Sequence, residues 1–68
     1  MDLDIRKAVL ANLNDSTWDD VSKTITDAVN TQEEKVLPGL GVMFEVYWKN
    51  CNDEEKNNVV SKLVSALS

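Results

Sequence analysis

The amino-acid sequence predicts an all-α fold, a compact bundle of about four short helices that forms a single helical domain over residues 1–68. Apolar residues recur at helical spacing in four segments, and a capping residue precedes most of these segments. Both glycines and the one proline lie between positions 38 and 41, so one strong break interrupts the helical pattern. A chain of 68 residues hides only about 60% of its unfolded surface, so we expect modest stability.

The first predicted helix covers about residues 3–13 and has Asp2 as its N-cap. Asn14 and Asp15 then break the pattern, as turn residues do. On a helical wheel one broad arc collects the apolar residues Leu3, Ile5, Val9, Leu10 and Leu13. This arc is the face that we expect to be buried.

Ser16 is the predicted N-cap of the second helix, which ends near Asn30. Asp19 and Asp20 lie in its first turn, where negative charge complements the helix dipole. Its apolar stripe is narrow and consists of Trp18, Val21, Ile25, Ala28 and Val29.

A tight turn is predicted at residues 37–41. Pro38 limits a helix that starts near Thr31 to about one turn, and it disfavours helical geometry at Leu37. Gly39 and Gly41 follow directly, and glycine suits backbone with positive φ. If either glycine has positive φ, alanine in its place should destabilise the protein by about 1 kcal/mol or more.

Residues 42–50 have the aromatic and β-branched content of a short strand and also the periodicity of a helix. Helix is the favoured interpretation, because a lone strand in a helical chain of this size has no partner. Glu45 and Lys49 would then form an i,i+4 ion pair.

Asn52, followed by Glu55 in a capping box, starts the last helix. Its stripe consists of Val59, Val60, Leu63, Val64 and Leu67.

The sequence predicts no catalytic, cofactor-binding or metal-binding residues, and we expect no enzyme activity. Histidine is absent and Cys51 is the one cysteine, which excludes an internal disulfide, a Cys/His zinc site and a Ser-His or Cys-His nucleophile pair. Neither a phosphate-binding glycine loop nor a calcium loop has its required spacing.

The charge balance argues against direct binding to nucleic acids. Seven lysines and arginines stand against twelve acids, a formal net charge of −5. A helix-turn-helix is disfavoured because Asp19, Asp20 and Asp27 would repel phosphates from the second helix. We expect a cytoplasmic protein without a membrane span, since no apolar stretch approaches the roughly 18 residues of one and no secretion signal begins the chain.

Four residues are candidates for a partner or dimer surface: Arg6, Phe44, Tyr47 and Trp48. Arg6 falls inside the apolar arc of the first helix, so its stem either crosses the core toward a carboxylate at the rim or reaches a partner. The three aromatic residues form either part of the core or the surface of a homodimer. The identity of a protein partner stays open.

The string EEK-x-LPGLG-x-x-FEV, which spans residues 33–46, resembles the small acid-soluble spore protein I family of endospore-forming bacteria. The opening Met1–Leu3, with Arg6 and Ala8, resembles the same family, as do Thr24 to Ala28. The resemblance covers nearly the whole chain. It implies a minor protein of the dormant spore core that is made in the forespore, and it supplies no catalytic residue, ligand or partner.

Two hypotheses follow from the residues and the resemblance. One is a structural or interaction protein of sporulation without catalysis. The other is a protein associated with nucleic acid on the dormant spore chromosome. The major α/β-type spore proteins, which coat DNA, are a different family, and their protease signature is absent from this sequence. DNA protection is therefore not transferred by the shared name.

Far-UV circular dichroism checks the predicted fold class. Four capped segments without a metal-ligand set or a disulfide predict a mainly helical spectrum that neither EDTA nor a reducing agent changes. A spectrum dominated by strand, or loss of the helical signal on chelation, would contradict the prediction.

Overall fold

A computed structural model describes residues 4–68 and confirms the all-α prediction. Four α-helices and one short 3₁₀-helix account for the secondary structure of this part of the chain, which contains no strand. The α-helices are α1 (Ile5–Leu13), α2 (Trp18–Thr31), α3 (Leu37–Lys49) and α4 (Asp53–Leu67), and the 3₁₀-helix covers Glu34–Val36. The principal extents of the helical arrangement are 36, 30 and 26 Å.

Helix α1 begins two residues later than predicted. Asp4 is its N-cap, because its side chain accepts a hydrogen bond of 2.9 Å from the backbone N–H of Lys7. The predicted cap, Asp2, lies outside the described residues. After α1, Asp15 takes the left-handed conformation, with φ of 61°. Aspartate tolerates this conformation better than most residues, which confirms the predicted turn.

Thr17, and not the predicted Ser16, caps helix α2. The Thr17 hydroxyl accepts a hydrogen bond from the backbone N–H of Asp20, and the Asp20 carboxylate accepts one from the backbone N–H of Thr17. This reciprocal pair decides the start of the helix, because it satisfies two donors that a Ser16 cap would leave to water. The helix ends at Thr31, one residue beyond the predicted end, and Gln32 closes it with a left-handed φ of 54°.

The predicted tight turn at residues 37–41 is wrong. Leu37 is helical, with φ of −60° and ψ of −41°, and Pro38 occupies the first turn of α3. Proline is tolerated there because the N–H that it lacks would have no partner within the helix. Neither glycine has positive φ, so Gly39 and Gly41 are ordinary helical residues.

The predicted helix over residues 42–50 is confirmed, since α3 runs through to Lys49. The predicted capping box of α4 is also confirmed. The Asn52 side chain accepts from the Glu55 N–H at 2.8 Å, and the Glu55 carboxylate accepts from the Asn52 N–H at 2.9 Å. The hydrogen bonds of this capping box therefore define the start of α4.

Helix α3 is the centre of the fold. It contacts both α1 and α2, and its Val42, at 7% exposure, is the one buried apolar residue among residues 4–68. Helix α4 lies against another side of α3, where Val60 and Leu63 approach Phe44 and Trp48. Apolar faces of all four helices therefore remain open to solvent.

Alanine in place of Gly41 should stabilise the protein, which reverses the expectation from the sequence. A Cβ atom built at Gly41 meets no atom within 4 Å, and the backbone is helical. Replacing a helical glycine by alanine should raise the free energy of unfolding by roughly 0.5–1 kcal/mol. Chemical denaturation measures the change, and Ala11→Gly on α1 is the matched control that should lower stability by a similar amount. A less stable Gly41→Ala variant would contradict the helical assignment.

Candidate interaction surface

Arg6 joins α1 to the middle of α3 through a two-pronged ion pair with Glu45. The Arg6 Nε donates to Glu45 Oε1 at 2.6 Å, and Nη2 donates to Oε2 at 2.8 Å. The planar guanidinium matches a carboxylate in this geometry, which a lysine cannot reproduce. Lys49 approaches the same carboxylate at 3.9 Å, which confirms the predicted i,i+4 pair. One carboxylate thus holds two cations at the junction of α1 and α3.

The pair shifts the protonation equilibria of both partners. Hydrogen bonds from Arg6, assisted by the positive charges of Arg6 and Lys49, hold the pKa of Glu45 below its ordinary value. The Glu45 carboxylate raises the pKa of the Arg6 guanidinium in turn. Both side chains stay in contact with solvent, so screening limits the energy of the pair. The interpretation of Arg6 as a rim ion pair thus agrees with the structure, and a partner's carboxylate would have to compete with Glu45.

The three aromatic residues of α3 interact without forming a closed core. The rings of Phe44 and Trp48 are stacked with centroids 6.0 Å apart, and Phe44 meets Tyr47 edge-on at 6.2 Å. The Lys56 ammonium from α4 lies 5.3 Å from the centre of a Trp48 ring, a cation–π contact that ties α4 to α3. Phe44 and Tyr47 nevertheless keep 43% and 48% of their surface exposed.

The structure divides the predicted partner residues between different surfaces. Phe44 and Trp48 line a depression with α4, whereas Tyr47, about 60° from Phe44 around α3, lines a second depression. This depression, here called the open groove, lies between α1, α2 and α3 and has a volume of about 640 Å³. Its apolar walls include Leu10, Leu13, Val21, Ile25, Val46 and Tyr47. The groove has the size and the apolar lining of a binding site.

The neighbouring Cys51 side chain raises the pKa of the Tyr47 hydroxyl. Partial desolvation and the negative charge of Glu55 act in the same direction. The phenol therefore stays neutral at physiological pH, and the edge of the open groove carries no charge from it.

Sequence reasoning did not identify α4 as part of an interaction surface. Four of its apolar residues, here called the α4 stripe, follow the i, i+3, i+4, i+7 spacing of a helix that docks in a groove: Val60, Leu63, Val64 and Leu67. All four are exposed, and Leu67 reaches 83%. The spacing is visible in the sequence, but it is equally typical of a core-facing helix. Trp18 at the start of α2 is likewise 81% exposed.

Neither a metal-binding cluster nor a membrane-spanning helix occurs in the described part of the chain. Residues 4–68 contain no group of three or more His, Cys, Asp or Glu side chains placed to hold a metal ion. In the same range, every helix is too short or too polar to cross a lipid bilayer. The surface features of these residues are thus an ion pair at the α1–α3 junction, an apolar groove and an exposed helical stripe.

The fold and the surface together define a small, acidic, four-helix protein with open apolar faces. The sequence profile of one family, described as "Small, acid-soluble spore protein I", matches residues 3–67. The chain belongs to this small, acid-soluble spore protein I family, as the resemblance of residues 33–46 predicted. It is therefore a spore-associated protein, and the family description names no reaction.

Several curated relatives carry the same name and match over nearly their full length. A relative from Halalkalibacterium halodurans is 46% identical over 67 residues, which cover 98% of both chains. Relatives from Bacillus velezensis and Bacillus cereus are each 48% identical over 98% of this chain and over 94% and 97% of their own. No solved structure matches this chain.

Replacing Glu45 by Gln should remove a pH-dependent part of the stability. The folded pKa of Glu45 lies below its ordinary value of 4.5. The contribution of the ion pair is therefore fully present above about pH 4.5 and is lost as the pH falls through the folded pKa. In thermal unfolding, wild type should have a higher melting temperature than Glu45→Gln at neutral pH. The difference between the two melting temperatures should shrink as the pH falls toward about 3.

The same substitution in an Arg6→Gln background is the matched control. Without the guanidinium, the pH-dependent effect of Glu45→Gln on the melting temperature should largely disappear. An equal effect in both backgrounds would show that the pair does not couple α1 to α3.

Proposed function

We propose that this protein is a non-catalytic structural or interaction protein of the dormant spore core, made in the forespore, that acts as a homodimer. Its family supports the spore setting, and its surface supports association. The observation that carries the proposal is the near absence of a closed core. Val42 alone is buried among residues 4–68, while large apolar side chains of every α-helix remain exposed.

The amount of exposed surface supports a second copy as the partner. The chain exposes 5942 Å², whereas a closed monomer of 7.6 kDa would expose about 4,300 Å². The excess is about 1,600 Å² per chain, twice the roughly 800 Å² that each partner buries in an interface of standard size. A dimer that removed this excess would bury about 3,200 Å² in total, within the range of obligate homodimers.

The dimensions lead to the same conclusion. The radius of gyration is 13.4 Å, whereas a closed domain of 68 residues has one of about 10.9 Å. Among residues 4–68 only Val42 is buried, so the four helices leave most of their apolar faces exposed. Another chain would be needed to cover these faces.

Sedimentation equilibrium tests the proposal directly. We expect a mass of about 15 kDa, twice the chain mass of 7.6 kDa, at micromolar concentration and about 0.15 M salt. Because dimerisation stabilises the folded state by mass action, the melting temperature should rise with protein concentration. A mass of 7.6 kDa at every concentration, with a concentration-independent melting temperature, would refute the homodimer.

Association with nucleic acid is the competing hypothesis, and we expect no direct binding. Residues 15–31 carry four aspartates and one lysine, and the remaining cations are divided among the other helices. Arg6 and Lys49 already contact Glu45. Fluorescence anisotropy with a labelled duplex at about 50 mM salt should therefore show no saturable binding at micromolar protein. Binding that weakens steeply with added salt would favour the nucleic-acid hypothesis instead.

Fractionation of dormant spores tests the location. The protein should appear in the core fraction after the coat has been extracted, and expression should begin in the forespore. Recovery with the coat extract would contradict the location in the core.

A further inference from the structure

We infer that the two copies associate by helix exchange: the α4 stripe of each copy docks in the open groove of the other. The inference rests on the proposed homodimer and names its contact surfaces. It follows from the position of the stripe and the groove on one chain, their apolar character and the amount of surface that the chain leaves exposed.

The α4 stripe has the pattern that a groove-binding helix requires. Val60, Leu63, Val64 and Leu67 lie on one face at i, i+3, i+4 and i+7. Their exposure increases along the helix, from 44% at Val60 to 83% at Leu67. Val60 and Leu63 line a depression with Phe44 and Trp48 of their own α3, whereas Val64 and Leu67 form the uncovered end of the stripe.

The open groove is of the complementary kind. Leu10 of α1, Ile25 of α2 and Val46 of α3 present apolar atoms to it, and each is at least 40% exposed. Three helices form its walls, so a fourth helix laid along it would complete a four-helix core around α3. Such a core is what the separate chain lacks.

The α4 helix of the same chain lies against a different side of α3. Successive residues on a helix are about 100° apart, so Phe44, which faces α4, and Val46, which faces the groove, lie about 160° apart around α3. Only residues 50–52 connect α3 to α4, and Lys56 already sits over Trp48. The short connection and this contact keep α4 off its own groove, so the groove is free for the helix of another copy.

Charge does not select the partner of the α4 stripe. Lys56 already lies over Trp48 of its own chain, and Lys62 is about 160° from Val64 around α4. At about 0.15 M salt the net charge of −5 is screened beyond about 8 Å and opposes the dimer only weakly.

Helix exchange between two copies forms a closed dimer and not an open chain of subunits. Each chain offers one groove and one stripe, so two chains related by a two-fold axis satisfy both without leaving a free site. The excess surface of about 1,600 Å² per chain is enough for two such contacts of standard size.

Charged substitutions on either surface test the inference in the full-length chain. Val64→Glu on the stripe and Leu10→Glu in the groove should each convert the dimer to a monomer at micromolar concentration. We expect the dissociation constant to rise about a hundredfold or more, because each carboxylate would lose its water without gaining a partner. Ser65→Glu adds the same charge on the opposite face of α4, about 160° from Leu63 and Leu67, and should leave the dimer intact.

Cross-linking gives a second readout that does not depend on the stability of the Glu variants. In a Cys51→Ser background, chains with Val64→Cys and chains with Leu10→Cys are mixed and oxidised. The mixed disulfide should form in large excess over either symmetric product, and Ser65→Cys should not replace Val64→Cys in this reaction.

The outcomes separate the inference from the proposed function. Wild type that sediments as a monomer refutes both. A wild-type dimer that persists in Val64→Glu and Leu10→Glu, or that yields no mixed disulfide, refutes helix exchange and leaves the homodimer standing. Loss of the dimer in both Glu variants but not in Ser65→Glu, together with the mixed disulfide, supports helix exchange.

Discussion

The fold depends on a mismatch between helix α3 and the surface available to cover it. Leu37–Lys49 is apolar on nearly every side, and a helix of this kind belongs in the interior of a protein. Three further short helices pack around it, but among residues 4–68 they bury only Val42. The open groove on one side and the aromatic rings under α4 on another are both consequences of this incomplete cover.

Polar interactions position the helices around α3, whereas apolar contacts between the helices bury little surface. Arg6 and Glu45 set the position of α1, and the contact of Lys56 with Trp48 does the same for α4. Local capping boxes define where α2 and α4 begin. A single chain held by exposed contacts is only marginally stable. Screened ion pairs contribute little to its free energy of unfolding, and most of its apolar area stays in water. The proposed homodimer would supply stability by covering apolar faces that the single chain leaves in water.

Much of the fold could be predicted from the sequence because the signals are local. Helical periodicity, the capping box at Asn52 and the pair of Glu45 with Lys49 depend on residues within one or two turns of each other. The errors are also local. Pro38 resembles a helix breaker in the sequence, although the first turn of a helix accepts proline, and two adjacent hydroxyl residues compete for one cap. Recognition of the family depends on the string at residues 33–46, and the family profile confirms it.

The sequence by itself determined that the chain is helical, that it is acidic, and which residues form each apolar stripe. It could not show which stripes are buried, since a core-facing helix and a groove-binding helix have the same spacing. Only the tertiary structure decided that Arg6 meets Glu45 across 39 positions, that Phe44 and Tyr47 line different depressions, and that the end of the α4 stripe is open. Those distinctions depend on contacts between distant segments, and periodicity along one helix carries no information about them.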